Sequence, residues 1–211
     1  MDNQPLKTKQ LAEIIGALVA WLAVLFQLYL IIINREVSLG ETIVRFVSFF
    51  TILTNILVAI CFTLLAIKSN SSLANFFSKA QTQAAVAVYI FVVGLTYNII
   101  LRGIWQPQGL QRLVDESLHV VVPIYFVLYW FIFSPKNNLQ WKNVFPWLIY
   151  PFLYLVYTLI RGSFVHYYPY PFVDVDKLGI NKVLLNSSVL FILFFLLSLV
   201  FVWLGRMMNK S

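Results

Sequence analysis

The chain has 211 residues, 61% of them hydrophobic and only 11% charged, with a net charge of +7. A soluble domain of this length covers its surface with charge, so the composition excludes one and predicts an integral membrane protein. The basic excess calls for no nucleic acid, because the cations are scattered over short loops, where anionic lipid headgroups lie.

Six apolar runs follow in order, over 11–33, 44–67, 84–101, 118–133, 144–160 and 183–204. A helical span needs about 20 residues. The fourth run reaches that length by borrowing 115–117, and the fifth carries Pro146 and Pro151, which predict a late start or a kink. The run after Lys7 and Lys9 is too long for a cleaved signal peptide and predicts an uncleaved first span. The predicted fold is all-α: one domain over 1–211, a bundle of six transmembrane helices with both termini on the same side. Eight cations fall on the termini side and seven on the other, which also holds six of the eight acids. That distribution predicts cytoplasmic termini.

The loops are short and polar. Residues 68–83 read as a plain connector, and Pro135 to Asn138 form a turn cluster. The loop RGSFVHYYPYPFVD (161–174) is more aromatic than a linker needs. The single Cys61 allows no intrachain disulfide and no cysteine-based metal site, and reads as a small packing residue. YNIILRG (97–103) and YTLIRG (157–162) echo one another, as a duplicated helix pair or as two helices stopping at an Arg and a Gly.

The stretch RFVSFFTILTN (45–55) places Ser48, Thr51, Thr54 and Asn55 in an apolar run. Helical spacing predicts one polar stripe, which in lipid must face protein or a water-filled cavity. His119, in DESLHVVVP, is the only histidine within a predicted span, with Asp115 four residues earlier and Glu116 three, either of which could orient the ring. Polar residues embedded in a span are costly and point to function. Nucleophilic catalysis needs a hydroxyl, a base beside it and donors for the oxyanion. The candidates are Ser48 or Thr51 as nucleophile and His119 as base. Arg45, Asn55, Arg102, Asp115, Arg161 and Tyr168 are candidates for oxyanion stabilisation or substrate contact, and backbone amides at a helix start are further donors. This chemistry requires no metal and no organic cofactor. The same cluster also suits a small-solute or proton-coupled transporter, or a lipid-binding protein without catalysis. With only His119 and His166, a two-haem cytochrome is excluded.

RFVSFFTILTN, LHVVVP and YYPYPFVD, in that order and spacing, resemble the androgen-induced-gene membrane proteins, and above all their bacterial six-span relatives. The resemblance runs from about Arg45 to the sixth span. It implies an atypical threonine hydrolase that cleaves esters of hydroxy fatty acids in a bacterial plasma membrane, with membrane lipid as partner and an acyl chain as substrate. His119, followed by Pro123, matches the family histidine. In the ungapped match the family threonine falls on Ser48, and Thr51 lies one turn deeper.

Overall fold

The computed structural model describes residues 4–209. Among these, six helices are long and apolar enough to cross a membrane: Lys7–Ile33, Phe50–Ile67, Ala80–Leu101, Gly109–Phe133, Trp141–Val165 and Ile180–Met208. The chain is an all-α, multi-pass membrane protein whose even number of spans returns both ends to one side.

The first span belongs to α1 (Gln4–Ile33). It packs against α3 (Phe50–Ile67), the second span, at Gly16. A Cβ on Gly16 would lie 2.6 Å from the Phe62 ring, so only glycine permits this approach. Between them lies a short amphipathic helix, α2 (Leu39–Val47), which buries Thr42 and Phe46. Ser38 caps its N-terminus by accepting from the Glu41 amide at 3.3 Å, a standard use of a serine hydroxyl. A second short helix, α4 (Ser72–Ser78), leads into α5 (Ala80–Thr96).

The helix α5 is the centre of the bundle: Ala84, Ala87, Val88 and Ile90 have no exposed surface. Its small side chains let α3 and the fourth span both pack closely on it. The fourth span begins earlier than the apolar run suggests, with α6 (Gly109–Glu116), and continues through α7 (Val122–Phe133). The fifth also starts earlier, at Trp141. It is broken at Leu148 between α8 (Val144–Trp147) and α9 (Ile149–Val165). Proline chemistry explains that break. Pro151 has no N–H for the Trp147 carbonyl, and the Tyr89 hydroxyl donates to that carbonyl instead, at 2.7 Å. A one-turn helix, α10 (Val175–Leu178), precedes the last span, α11 (Ile180–Met208).

Three departures from regular helix shape one end of the bundle. α5 runs into a π-turn, Tyr97–Leu101, and α6 and α7 are joined by another, Ser117–Val121. Such turns recur at functional sites. The third is a break in the second apolar run, which the sequence pattern places in one continuous helix. α2 ends at Val47, Phe49 is extended (φ −81°, ψ 125°), and α3 restarts at Phe50. The polar stripe expected over 45–55 is therefore split. The two echo segments also differ, since 97–101 is a π-turn whereas 157–162 lies within α9.

Candidate active site

The break at Phe49 decides which hydroxyl faces which wall. Ser48, the C-cap of α2, donates to the Val44 carbonyl at 2.6 Å and meets the Tyr157 hydroxyl at 2.9 Å. Tyr154 donates to the Ser48 carbonyl at 2.9 Å. Two tyrosines of α9 thus take up polar groups that the break frees, as a low-dielectric setting demands.

Thr51, in the first turn of α3, points elsewhere. Its Oγ1 lies 3.3 Å from His119 Nε2 and 3.1 Å from the Tyr170 hydroxyl, and its backbone N–H donates to that same hydroxyl at 3.1 Å. One assignment satisfies all three contacts: the Thr51 hydroxyl donates to Nε2, the Tyr170 hydroxyl donates to Thr51 Oγ1, and the Thr51 amide donates to the Tyr170 oxygen. Tyr170 thereby serves as the cap that Phe49 cannot supply, since no side chain caps α3 within its own turn. Burial pushes the Tyr170 phenol up to about 12, opposed by its hydrogen bonds with Thr51, so it is neutral and a donor at neutral pH.

His119 lies in the π-turn Ser117–Val121. Its Nδ1 faces Asp115, 2.9 Å from the carbonyl and 3.3 Å from Oδ1. With Nδ1 carrying the proton, Nε2 is the acceptor presented to Thr51. Asp115 is only 6% exposed, and its Oδ2 accepts a hydrogen bond from Tyr97. The Tyr97 ring stacks on the imidazole, 4.1 Å between centroids and 15° between planes.

Gly94 lets α5 come close enough for that stack. A Cβ there would lie 3.1 Å from the His119 carbonyl oxygen and 3.1 Å from Pro123 Cβ. Pro123 also offers no N–H to the His119 carbonyl four residues before it, which favours the local π-turn.

The other expected site residues fall into separate places. Asn55 is a strut: its Nδ2 donates to the Thr51 carbonyl at 2.8 Å and the Leu118 carbonyl at 3.2 Å, joining the two catalytic candidates' backbones. Asp115 stands behind His119, away from the oxyanion side. The three arginines do not line the cavity beside Thr51 and His119. Arg102 pairs with Glu116 at 2.7 Å. Arg45 and Arg161 both pair with Glu41, at 2.8 and 2.6 Å, and both lie over the Tyr167 ring. Tyr168 packs over Gly162, where a Cβ would collide with its ring; Tyr170 is the loop tyrosine at the site. Its position between Pro169 and Pro171 was the available signal, since a residue before proline is driven to extended backbone, and Tyr170 is extended (φ −134°, ψ 143°). His166 lies outside the site, exposed and 3.0 Å from Asp176.

Two cavities meet at Thr51, Leu101 and Tyr170. The larger, about 380 Å³, also touches His119 and Asp115 and has apolar walls from Phe46, Phe49, Ile52 and Trp105. The smaller, about 90 Å³, runs between α5, α9 and α11. Among the described residues, no three His, Cys, Asp or Glu side chains are grouped to share a metal ion.

Fold and geometry together define a six-span membrane protein with a largely buried Asp-His-Thr alignment beside a mainly apolar cavity of about 380 Å³. Comparison of the chain with protein families, curated proteins and solved structures found no match.

Proposed function

We propose that the protein is an intramembrane lipid-ester hydrolase with Thr51 as nucleophile and His119 as general base. The observation that carries this reading is the Thr51 Oγ1 to His119 Nε2 approach of 3.3 Å, with Asp115 behind Nδ1. Catalytic contacts of this kind are commonly loose before substrate binds.

In the mechanism, Thr51 Oγ attacks the ester carbonyl carbon as its proton passes to His119 Nε2. The Asp115 carboxylate balances the imidazolium. The oxyanion is held by the neutral Tyr170 hydroxyl, which turns to it from Thr51 Oγ as that oxygen bonds to carbon, beside the start of α3, whose helix end carries partial positive charge. Collapse of the tetrahedral intermediate expels the alcohol, which takes the proton from His119. Water then attacks the acyl-Thr51 carbonyl, giving its proton to His119, and Thr51 leaves with that proton as the free acid forms.

The substrate is a membrane lipid ester whose acyl part lies in the larger cavity, among Phe46, Phe49 and Trp105. The likeness of the three sequence motifs to the androgen-induced-gene family supports the same class, esters of hydroxy fatty acids. It also supports a bacterial plasma-membrane setting. The acids gathered on the side away from the termini accompany a reading with both termini in the cytoplasm.

A fluorophosphonate probe tests the reaction. The purified protein is expected to acquire one covalent adduct, mapped to Thr51 by mass spectrometry, and His119→Ala to abolish it. Labelling that persists in His119→Ala refutes the scheme.

A further inference from the structure

The π-turn Tyr97–Leu101 presents one side chain to two members of the alignment at once. The Tyr97 ring lies parallel to the His119 imidazole at 4.1 Å, and its hydroxyl donates to Asp115 Oδ2. Tyr97 is itself held in place: it is 3% exposed, the Arg102 guanidinium lies 5.2 Å from its ring centroid, and Arg102 is fixed by Glu116 at 2.7 Å.

We propose that Tyr97 is a positioning residue of this site, aligning His119 through the Asp115 carboxylate. The inference rests on the hydrolase reading above. A carboxylate that contacts its histidine through one oxygen alone remains free to swing about its terminal torsion, which is broad. Asp115 offers His119 Nδ1 both its backbone carbonyl, at 2.9 Å, and Oδ1, at 3.3 Å; with Oδ2 tied to Tyr97, the swing of the carboxylate is blocked. The stacked ring also prevents the imidazole from rotating off the line to Thr51. Arg102, which flanks the Tyr97 ring, is committed to Glu116 and does not pair with Oδ2. The tyrosine hydroxyl is therefore a second support for the base, bound to an ionised group in a low-dielectric wall where such bonds are strong.

The hydroxyl and the ring are separable. Tyr97→Phe keeps the stack and removes only the bond to Asp115. Hydrogen bonds to charged groups are worth roughly ten- to a hundredfold in an equilibrium or rate, so that is the expected fall in the rate of fluorophosphonate labelling of Thr51. The deciding measurement is a double-mutant cycle with Asp115→Asn. If Tyr97 acts through Asp115, adding Tyr97→Phe to Asp115→Asn slows labelling by less than about twofold, whereas a purely structural role gives the same fall in both backgrounds. Thermal melts of all four proteins accompany the cycle, and a loss of labelling that merely follows loss of folded protein would count against the proposal. Wild-type labelling on Thr51 with Tyr97→Phe unchanged overturns the role of Tyr97 and leaves the hydrolase standing. Absence of any Thr51 adduct in the wild type overturns both.

Discussion

Thr51 and Ser48 are three residues apart, and the torsions of Phe49 decide which of them meets His119. In a continuous helix the two would share a face. With α3 restarted at Phe50, Ser48 turns to Tyr157 and Thr51 to His119 and Tyr170. Ser48→Ala is therefore expected to retain labelling within about twofold while losing about 1 kcal/mol of stability, the typical worth of a hydrogen bond; Thr51→Val removes the adduct. Loss of the adduct in Ser48→Ala with Thr51→Val still labelled would reverse the assignment. A carboxylate beside His119 was legible in the sequence, because spacings of three and four on a helix bring side chains together, but the choice of Asp115 over Glu116, which pairs with Arg102 instead, was not. The choice between Ser48 and Thr51 was not. No glycine or proline marks the break, and what stabilises it, Tyr154 and Tyr157, comes from more than a hundred residues away.

At the scale of elements, prolines and their substitutes set the joints. Pro151 leaves the Trp147 carbonyl without a helical donor, and Tyr89 from α5 replaces it at 2.7 Å. Tyr89→Phe leaves a buried carbonyl unsatisfied, at a cost of about 1 to 3 kcal/mol, read as a lower melting temperature in detergent with Thr51 labelling of the folded fraction preserved. An unchanged melting temperature would mean that the joint between α8 and α9 is held by packing alone. Proline positions and the possible kink in the fifth span were readable in advance, since they follow from backbone chemistry. The extension of the fourth span back to Gly109 was hidden, because GLQRLVDE is polar enough to read as a loop. The π-turn at Ser117–Val121 has no sequence signal beyond Pro123, since the approach of Gly94 to the His119 carbonyl is a tertiary contact, and the turn at Tyr97–Leu101 has none.

Across the whole molecule, the six spans were legible from hydropathy, yet their arrangement was not. Helices apolar all round carry no pattern that says which face is inward. The polar contacts that fix the arrangement are few, and several hold the Tyr-Pro loop over the site. Glu41 gathers Arg45 and Arg161, and both guanidiniums clasp Tyr167, three residues before Tyr170. The Arg45 hydrogen bond, then that of Arg161, hold the Glu41 carboxyl below the ordinary glutamate range. A carboxyl lowered by folding stabilises fully above its unfolded value and loses that contribution as pH falls through the lowered one. The wild-type melting temperature is expected to drop more steeply between about pH 5 and pH 3 than that of Glu41→Gln. Parallel curves would show that the cluster contributes nothing to holding the loop.

The restart of α3 inside the bundle has a bearing on the surrounding electrolyte. Mobile ions damp interactions between groups in water over a Debye length of about 8 Å at physiological strength, but they have no access to amides and a phenol enclosed among apolar side chains. The groups that would face the developing negative charge at Thr51 are of that enclosed, uncharged kind, whereas Arg45 and Arg102 spend their charge on partners near the water boundary. Under the proposed hydrolase mechanism, salt would act on the ion pairs at the water boundary, Glu41 with Arg45 and Arg161 and Glu116 with Arg102, rather than on the uncharged donors facing the ester.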